Sequence, residues 1–393
     1  MDGSRSRVVH QYDRFGSPYL LWLEKQDFIK DAQPHQSITR PDKFLKYGAT
    51  GGWANQVLSL EHAIWLADAT QRTLVVSPML GFCEKFQSNY VNSGINEEYE
   101  KVTTYIPMSE VLELDWSGLN IVDWKVFYNR FRNNNTLKER ELSHLFHCGN
   151  TKWTRNLTSW SNVNLTNIHT CKDHLGKKGI YNVTIQDMVT TLQPYDSYDI
   201  LDFNFIFPSS NFDTAHQWPT FNLTYSEPIR AVAKLIRQNL WDDRPYAAIY
   251  IRGGEGPYLD IFSQNSSTVI HDSLVMAGSE IELYNKHNNH NLNNVTLLVV
   301  TDIQKIKDHK NWKKESALFT SMMAKKGISM SYSFRSDYKA QVNDFTANTS
   351  NPYADICVDM QLAACASAGF GYYKTNSTFL KRIVSMRMQP PVC

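Results

Sequence analysis

A chain of 393 residues, 42% hydrophobic and 20% charged, suits two domains, or one large one, with real cores. Its formal net charge of +1 argues against a nucleic-acid binder that works by neutralising phosphates, and the densest basic run, Lys310-Asn311-Trp312-Lys313-Lys314, is short enough for a solvated helix face. No apolar run approaches the roughly 18 residues of a membrane span, so no spanning helix is predicted.

Residues 1–42 are polar and broken by Pro34 and Pro41, which predicts an arm or loop. Residues 43–47 suit a short strand, 48–52 a glycine turn, and 55–69 a helix with Val57, Leu58, Leu60, Ile64, Trp65 and Ala67 at helical spacing. A buried strand over 72–77 then closes a βαβ unit. Between 80 and 225 the pattern weakens. Residues 119–126 and 200–207 have strand character, whereas the Asn- and Trp-rich run 132–167 reads as surface loops, an insertion or a lid.

From Ser226 the pattern is regular: helix 229–240, strand 246–251, helix 268–287, strand 295–300, helix 312–325, strand 328–334, helix 354–364, strand 370–373 and a last helix from Thr378. Strand–helix alternation over this length predicts a parallel, doubly wound domain. The first half opens in the same way. The expected architecture is α/β, with two facing Rossmann-like domains divided as 1–225 and 226–393 and a cleft between them.

The six cysteines show no CxxC spacing, so neither a zinc ribbon nor a redox motif is predicted, and their even number suits disulfides. Cys357 and Cys365 on one helix would lie about 12 Å apart at about 1.5 Å rise per residue, too far to bridge each other. Each therefore needs another partner or stays free. Nine Asn-X-Ser/Thr sequons, at Asn134, Asn156, Asn164, Asn182, Asn222, Asn265, Asn294, Asn348 and Asn376, exceed the about 4 or 5 expected by chance. The opening residues Met1-Asp-Gly-Ser-Arg-Ser-Arg have no apolar core. Together these features predict a protein of the secretory pathway, in the ER or Golgi lumen, whose leader or anchor is absent from this chain.

Three stretches carry candidate chemistry. Tyr246-Ala-Ala-Ile-Tyr-Ile-Arg-Gly-Gly-Glu-Gly256 is a buried strand ending in Arg252 and a glycine turn. Ligands of open α/β sheets gather at the carboxyl ends of strands, and a guanidinium there can fork onto a phosphate. The alternative is an exposed Arg on a flexible turn. Gly51-Gly-Trp-Ala-Asn-Gln56 is a glycine turn opening a helix, which offers backbone N–H groups to an anion, or a turn in which Asn55 merely caps the helix. Thr375-Asn-Ser-Thr-Phe379 enters the last helix and offers either ordinary caps or hydroxyl and N–H donors to a diphosphate.

In order and spacing these stretches resemble the GDP-fucose-dependent O-fucosyltransferase family, inverting transferases of the two-Rossmann-domain (GT-B) type. The run from Tyr47 through the Asn55-Gln56 turn to Arg72-Thr-Leu-Val-Val76 resembles the family's first block. Tyr246 to Gly256 resembles its H-x-R strand end, Leu297-Leu-Val-Val-Thr-Asp302 its ATD strand, and Asp359 to Arg387 its last block. The resemblance implies that Asn55, with Gly51, Gly52 and Trp53 in its turn, lies near the donor sugar and its phosphates. It implies that Arg252, beside Gly253, grips the β-phosphate, that Ser377, Thr378 and the backbone of Phe379 bind the diphosphate, and that Asp302 lies near the nucleoside. Asp359 opens the last block and is counted with the donor site. Trp53 would stack on an acceptor or belong to the core.

The departures are specific. The family's His two residues before the Arg is Tyr250, its usual Asp after the Arg is Glu255, and the Glu that some members carry in the glycine turn is absent. Asp260 and Glu255 are the candidate bases for the acceptor hydroxyl, each with the alternative of a solvent-facing loop carboxylate. No Asp-X-Asp occurs, so no metal is expected to neutralise the diphosphate. The expected activity is metal-independent transfer of fucose from GDP-fucose, with no cofactor, to a protein Ser/Thr or a glycan. The competing expectations are a non-catalytic binding protein of the same fold and a transferase using another nucleotide sugar. Asn376 overlaps the phosphate stretch and is expected to be unglycosylated.

Overall fold

A computed structural model describes residues 40–47, 53–77, 108–113, 119–123, 126–127, 143–147, 167–170, 185–197, 200–203, 223–254, 257–288, 292–348, 354–373 and 377–388. The chain divides into two compact units, Met1–Leu223 and Thr224–Cys393.

The first unit holds β1 (Arg40–Tyr47), α1 (Trp53–Ala69), β2 (Arg72–Val76), β3 (Ile121–Asp123), β4 (Ser143–His147), β5 (Asn167–Thr170), α2 (Ile185–Leu192) and β6 (Ile200–Phe203). Its sheet runs β3-β2-β1-β6-β4-β5, and every pairing is parallel. The helix α1 buries its apolar stripe and also Gln56, Ser59, Glu61 and His62. Arg72 is fully buried and donates to the carbonyls of Phe44, Tyr195 and Asp196, which ties β2 to β1 and to the turn before β6.

Several expectations need correction here. The arm through residue 42 is already strand from Arg40; Pro41 lies where the β1–β2 register shifts, so its missing N–H costs no ladder bond in a regular pair. The strand expected over 119–126 is confined to Ile121–Asp123, because residues 126–127 turn helical. The run expected as loops contains β4, and β5 begins at its last residue, Asn167. These two strands hold five and four residues of mixed His, Asn and Ser character, too short and too polar to declare a period.

The second unit holds α3 (Glu227–Trp241), β7 (Ala247–Ile251), α4 (Pro257–Asn288), β8 (Asn294–Thr301), α5 (Lys310–Ala324), β9 (Ser329–Phe334), α6 (Arg335–Asn348), α7 (Ala354–Ala364), β10 (Gly369–Tyr372) and α8 (Thr378–Met388). Its parallel sheet runs β10-β7-β8-β9. All five residues of β7 are buried. Ala247, Ile249 and Ile251 pack with Leu297, Val299, Val269, Ile270, Ile281, Phe319 and Met323. The alternate residues point to the opposite face, as the period of two requires, and α7 packs against β7 as well. Two elements were not expected: α6, whose mixed composition shows no apolar stripe, and the first third of α4. That helix starts at Pro257, which is tolerated in a first turn, and kinks at Asn265 (φ −128°, ψ 24°).

Cys365 is disulfide-bonded, and its partner lies outside the described residues; Cys357 is a buried free thiol. The two do not bridge each other, as their spacing requires. No helix among the described residues is long and apolar enough to cross a membrane.

Candidate anion site at the switch point of the second unit

The chain enters the second sheet at β7, builds outward through β8 and β9, and then returns to place β10 on the other flank of β7. Strand order therefore reverses between β7 and β10, which is where open α/β sheets leave a crevice outside their carboxyl ends. In the register, Tyr250 lies opposite Tyr372. One step beyond, Arg252 leaves β7, and beyond β10 the chain turns into α8 through Ser377. Residues 252 and 377 meet for this reason: Arg252 Nη1 donates to Ser377 Oγ at 3.2 Å.

Ser377 is fully buried and stands just before α8, where Leu380 N–H reaches its Oγ at 3.5 Å, the contact of an N-cap. Tyr250 and Arg252 are two residues apart and so share a face of the strand. The Tyr250 hydroxyl lies 3.2 Å from Ser377 Oγ, and its ring stacks on Phe379 with centroids 4.9 Å apart and planes 15° apart. Burial pushes the Tyr250 phenol well above its usual range, with Arg252 and Ser377 opposing, so it keeps its proton at any physiological pH.

On the other flank, Asp302 follows β8. Its Oδ1 accepts from the backbone N–H groups of Gly253 (2.8 Å) and Gly254 (3.0 Å), and its Oδ2 lies 3.6 Å from Arg252 Nε. The Tyr258 ring covers the guanidinium at 4.4 Å. Burial works against the charge on Arg252, but Tyr250, Asp302 and Tyr258 outweigh it and hold the pKa above its ordinary value. Arg252 is a permanent, partly buried cation held from three sides.

The glycines of this turn serve packing. A Cβ on Gly254 would stand 2.3 Å from the backbone oxygen of Asp302, and one on Gly253 would stand 2.4 Å from Phe262 Cβ. They let the turn close against β8 and α4, the requirement that ligand approach alone would not impose. Gly254→Ala must therefore push the turn off Asp302, and we expect it to lower the melting temperature by an amount corresponding to about 1–3 kcal/mol, the usual cost of overpacking. A thermal melt of the variant checks this; an unchanged melt would show that the turn relaxes freely.

The structure brings together Arg252, Gly253, Tyr250, Asp302, Ser377 and Phe379. The other predicted residues are placed as follows. Asp260 is exposed in the first turn of α4, not on a loop, where its backbone carbonyl accepts from Ser263. Asp359, on α7, is buried and already engaged: Arg335 donates to its Oδ2 and Tyr338 to its Oδ1. In the first unit, Trp53 is 2% exposed and so belongs to the core, and Asn55 is half-buried in the first turn of α1. Gly51, Gly52, Glu255 and Asn376 lie outside the described residues, and Thr378 is described only as the first residue of α8. Tyr258 was missed in the sequence. Its only signal was an aromatic six residues after Arg252, which means nothing until α4 is known to start at Pro257.

A parallel α/β unit whose switch point carries a fixed guanidinium, two hydroxyls and a helix N-terminus is Rossmann-like, with its donors gathered where such sheets can hold an anion. Among solved structures, POFUT1 in complex with GDP-fucose aligns over 88% of this chain and 94% of its own, with 14% identity and a TM-score of 0.50. Apo POFUT1 aligns over 90% and 97%, with 14% identity and a TM-score of 0.52. NodZ α-1,6-fucosyltransferase soaked with GDP-fucose covers 88% and 92% at 14% identity, with a TM-score of only 0.39. No protein-family model matches the chain, and no curated protein matches it. The likeness to POFUT1 shows the fold: α/β, with two Rossmann-like units, of the GT-B type.

Proposed function

We propose that this chain is a glycosyltransferase that moves fucose from GDP-fucose to a hydroxyl of a protein or glycan, with inversion and without a metal. The observation that carries this reading is the meeting of Arg252, Ser377 and Tyr250 at the switch point of the second unit, in a chain that shares the fold of a GDP-fucose-bound protein. In this reading residues 226–393 bind the donor and residues 1–225 face the acceptor.

Breaking the sugar–phosphate bond piles negative charge on the β-phosphate while the sugar becomes oxocarbenium-like. The strongest help is a preorganised cation and fixed donors aimed at that charge. Arg252 supplies the cation, and the start of α8 supplies donors with the positive end of its dipole. Asp302 and Tyr258 keep the guanidinium in place, so little reorganisation is needed when the charge develops. Asp260 remains the candidate base within the described residues, and Glu255 the other candidate named from the sequence.

Metal independence rests on the absence of Asp-X-Asp from the sequence and on a fixed guanidinium where a divalent ion would otherwise neutralise the leaving group. GDP should raise the melting temperature in EDTA as much as in magnesium, and more than UDP does. A shift abolished by EDTA, or larger with UDP, overturns the reading. The departure at Tyr250 favours a second reading, a non-catalytic GDP-sugar-binding protein. Hydrolysis of GDP-fucose in the absence of acceptor separates the two.

A lumenal, secretory setting belongs to the same proposal. It is supported by the disulfide at Cys365 and by the exposed sequon asparagines Asn265 and Asn294.

A further inference from the structure

Cys365 is disulfide-bonded and Cys357 is a free thiol, so the partner of Cys365 is one of Cys83, Cys148, Cys171 and Cys393. Cys148 and Cys171 follow directly on β4 and β5, whose last residues, His147 and Thr170, stand opposite one another in the register. Those two cysteines therefore suit each other. Cys83 belongs with them to the first unit, whereas Cys365 and Cys393 both belong to the second.

The course of the chain leads Cys393 back to Cys365. β10 is parallel to β7, so Ser377 and the start of α8 lie at the carboxyl end of the sheet, beside Arg252. From there α8 packs against α7, and its last turn comes to the end of that helix. Arg387 Nη1 donates to the carbonyls of Ala363 (3.2 Å), Ala364 (3.4 Å) and Ala366 (2.5 Å), on both sides of Cys365, and its guanidinium covers the Phe370 ring at 5.3 Å. The sulfur is fixed at the same place, with Gln361 Nε2 donating to Cys365 Sγ at 3.2 Å. Six residues lead from Arg387 to Cys393. Extended, six residues reach about 20 Å. A bridge asks only that two Cα atoms come within about 4.4–6.8 Å.

We propose that Cys365 is bridged to Cys393, which closes a covalent loop over β10, Ser377 and α8. Two thiols give up two protons and two electrons as the sulfur–sulfur bond forms, and a reactant disulfide takes the electrons and is reduced to two thiols. The cross-link touches no phosphate donor, so it stands or falls apart from the functional reading. β10 joins β7 through four register pairs, and a bridge across the ends of this segment restricts the unfolded chain and keeps α8 on α7. Ser377 thus meets Arg252 from a segment fastened at both ends.

The test is cysteine mapping of the full chain made in an oxidising secretory host. Thiols are blocked with N-ethylmaleimide in denaturant at low pH, and the monomer band of a non-reducing gel is cleaved after Lys and Arg and before Asp. Cleavage at Asp359 parts Cys357 from Cys365, and cleavage after Arg387 frees Cys393 on the fragment from Met388. Mass spectrometry should find the Cys365 and Cys393 fragments joined until reductant is added, with Cys357 blocked. A Cys365 fragment that is itself blocked, or joined to Cys83, Cys148 or Cys171, would overturn the proposal. In thermal melts, Cys393→Ser should lower the melting temperature by roughly 5–10 °C, and the double variant with Cys365→Ser should fall no further than Cys365→Ser alone. A fall in Cys365→Ser with none in Cys393→Ser would equally overturn it.

Discussion

Arg252→Ala is expected to lower donor turnover by on the order of 10²-fold or more while weakening GDP binding considerably less. The asymmetry follows from where the charge is. GDP already carries its negative charge in the ground state, but the β-phosphate gains more as the sugar leaves, so a cation fixed beside it acts most strongly on the transition state. The magnitude is that of removing one oxyanion donor. Arg252→Lys keeps the charge and loses the planar fork that reaches Ser377 and a phosphate together, so it should recover only part of the rate. Turnover and GDP affinity are measured side by side, with circular dichroism to establish that both variants fold. Near-normal turnover in a folded Arg252→Ala protein would remove the switch-point crevice from the mechanism.

The second large effect lies away from the phosphate. Arg335 is the only cation on the buried Asp359 carboxylate among its hydrogen-bond partners described above, with Tyr338 as the neutral donor. Truncating one partner of a buried pair strands the other charge, at about 3–5 kcal/mol. Because Arg335 is itself 39% exposed, we expect Arg335→Ala to cost about 3 kcal/mol, the low end of that range. For a unit of this size that corresponds to a fall in melting temperature of roughly 6–12 °C. The second ion pair of Arg335, with Asp355, is open to water on both sides and adds little.

The pH dependence has a definite sign. Burial raises the pKa of Asp359, and Arg335 and Tyr338 only partly oppose it. A carboxyl whose pKa is raised by folding favours the folded state below the unfolded pKa, near 4, and loses that contribution as pH climbs through the folded value. Removing Arg335 raises the folded value further. The Arg335→Ala defect should therefore be small near pH 4 and grow toward neutrality, as denaturant titrations at several pH values would record. A defect independent of pH would mean that Asp359 escapes to solvent in the variant. Replacing both residues together by Met and Leu should restore much of the stability, since apolar pairs of similar volume often match a buried ion pair.

The second unit was legible in the sequence because β7 and β8 are β-branched or apolar runs bounded by turns, which need no alternation to be recognised, and the edge strand β9 alternates Ser with Met, Tyr and Phe. Arg252 was legible for the same reason: a charge stands out at the end of such a run. Its partner Ser377 was legible as one of the hydroxyls entering a helix, but not its pairing with Arg252, because the strand order that joins them appears nowhere in local pattern. Asp302 was found for the right stretch, but its hold on the Gly253–Gly254 turn depends on a register that local pattern cannot supply. Asp359 was placed in the donor site because an acidic residue opens the last block. Its oxygens turn out to face Arg335, on a helix with no apolar stripe to announce it. In the first unit β4 and β5 are too short and too polar to be seen. Position within a sheet, more than residue type, separates what was read from what was not.

The return of β10 to the flank of β7 has a consequence for biogenesis. Residues 1–368 can emerge from the ribosome with β7 still an open edge of its sheet and with Arg252 not yet in contact with Ser377. β10 covers that edge, and the residues after it deliver Ser377 and, on α8, Phe379. The Arg252–Ser377 contact is therefore acquired only once β10 and the start of α8 have joined the folded sheet. A nascent or C-terminally clipped chain would present an unpaired apolar edge, a feature that chaperones retain and that prompts disposal. Under the proposed function, a nucleotide that binds only what β10 and α8 complete would stabilise the chains in which that edge is closed.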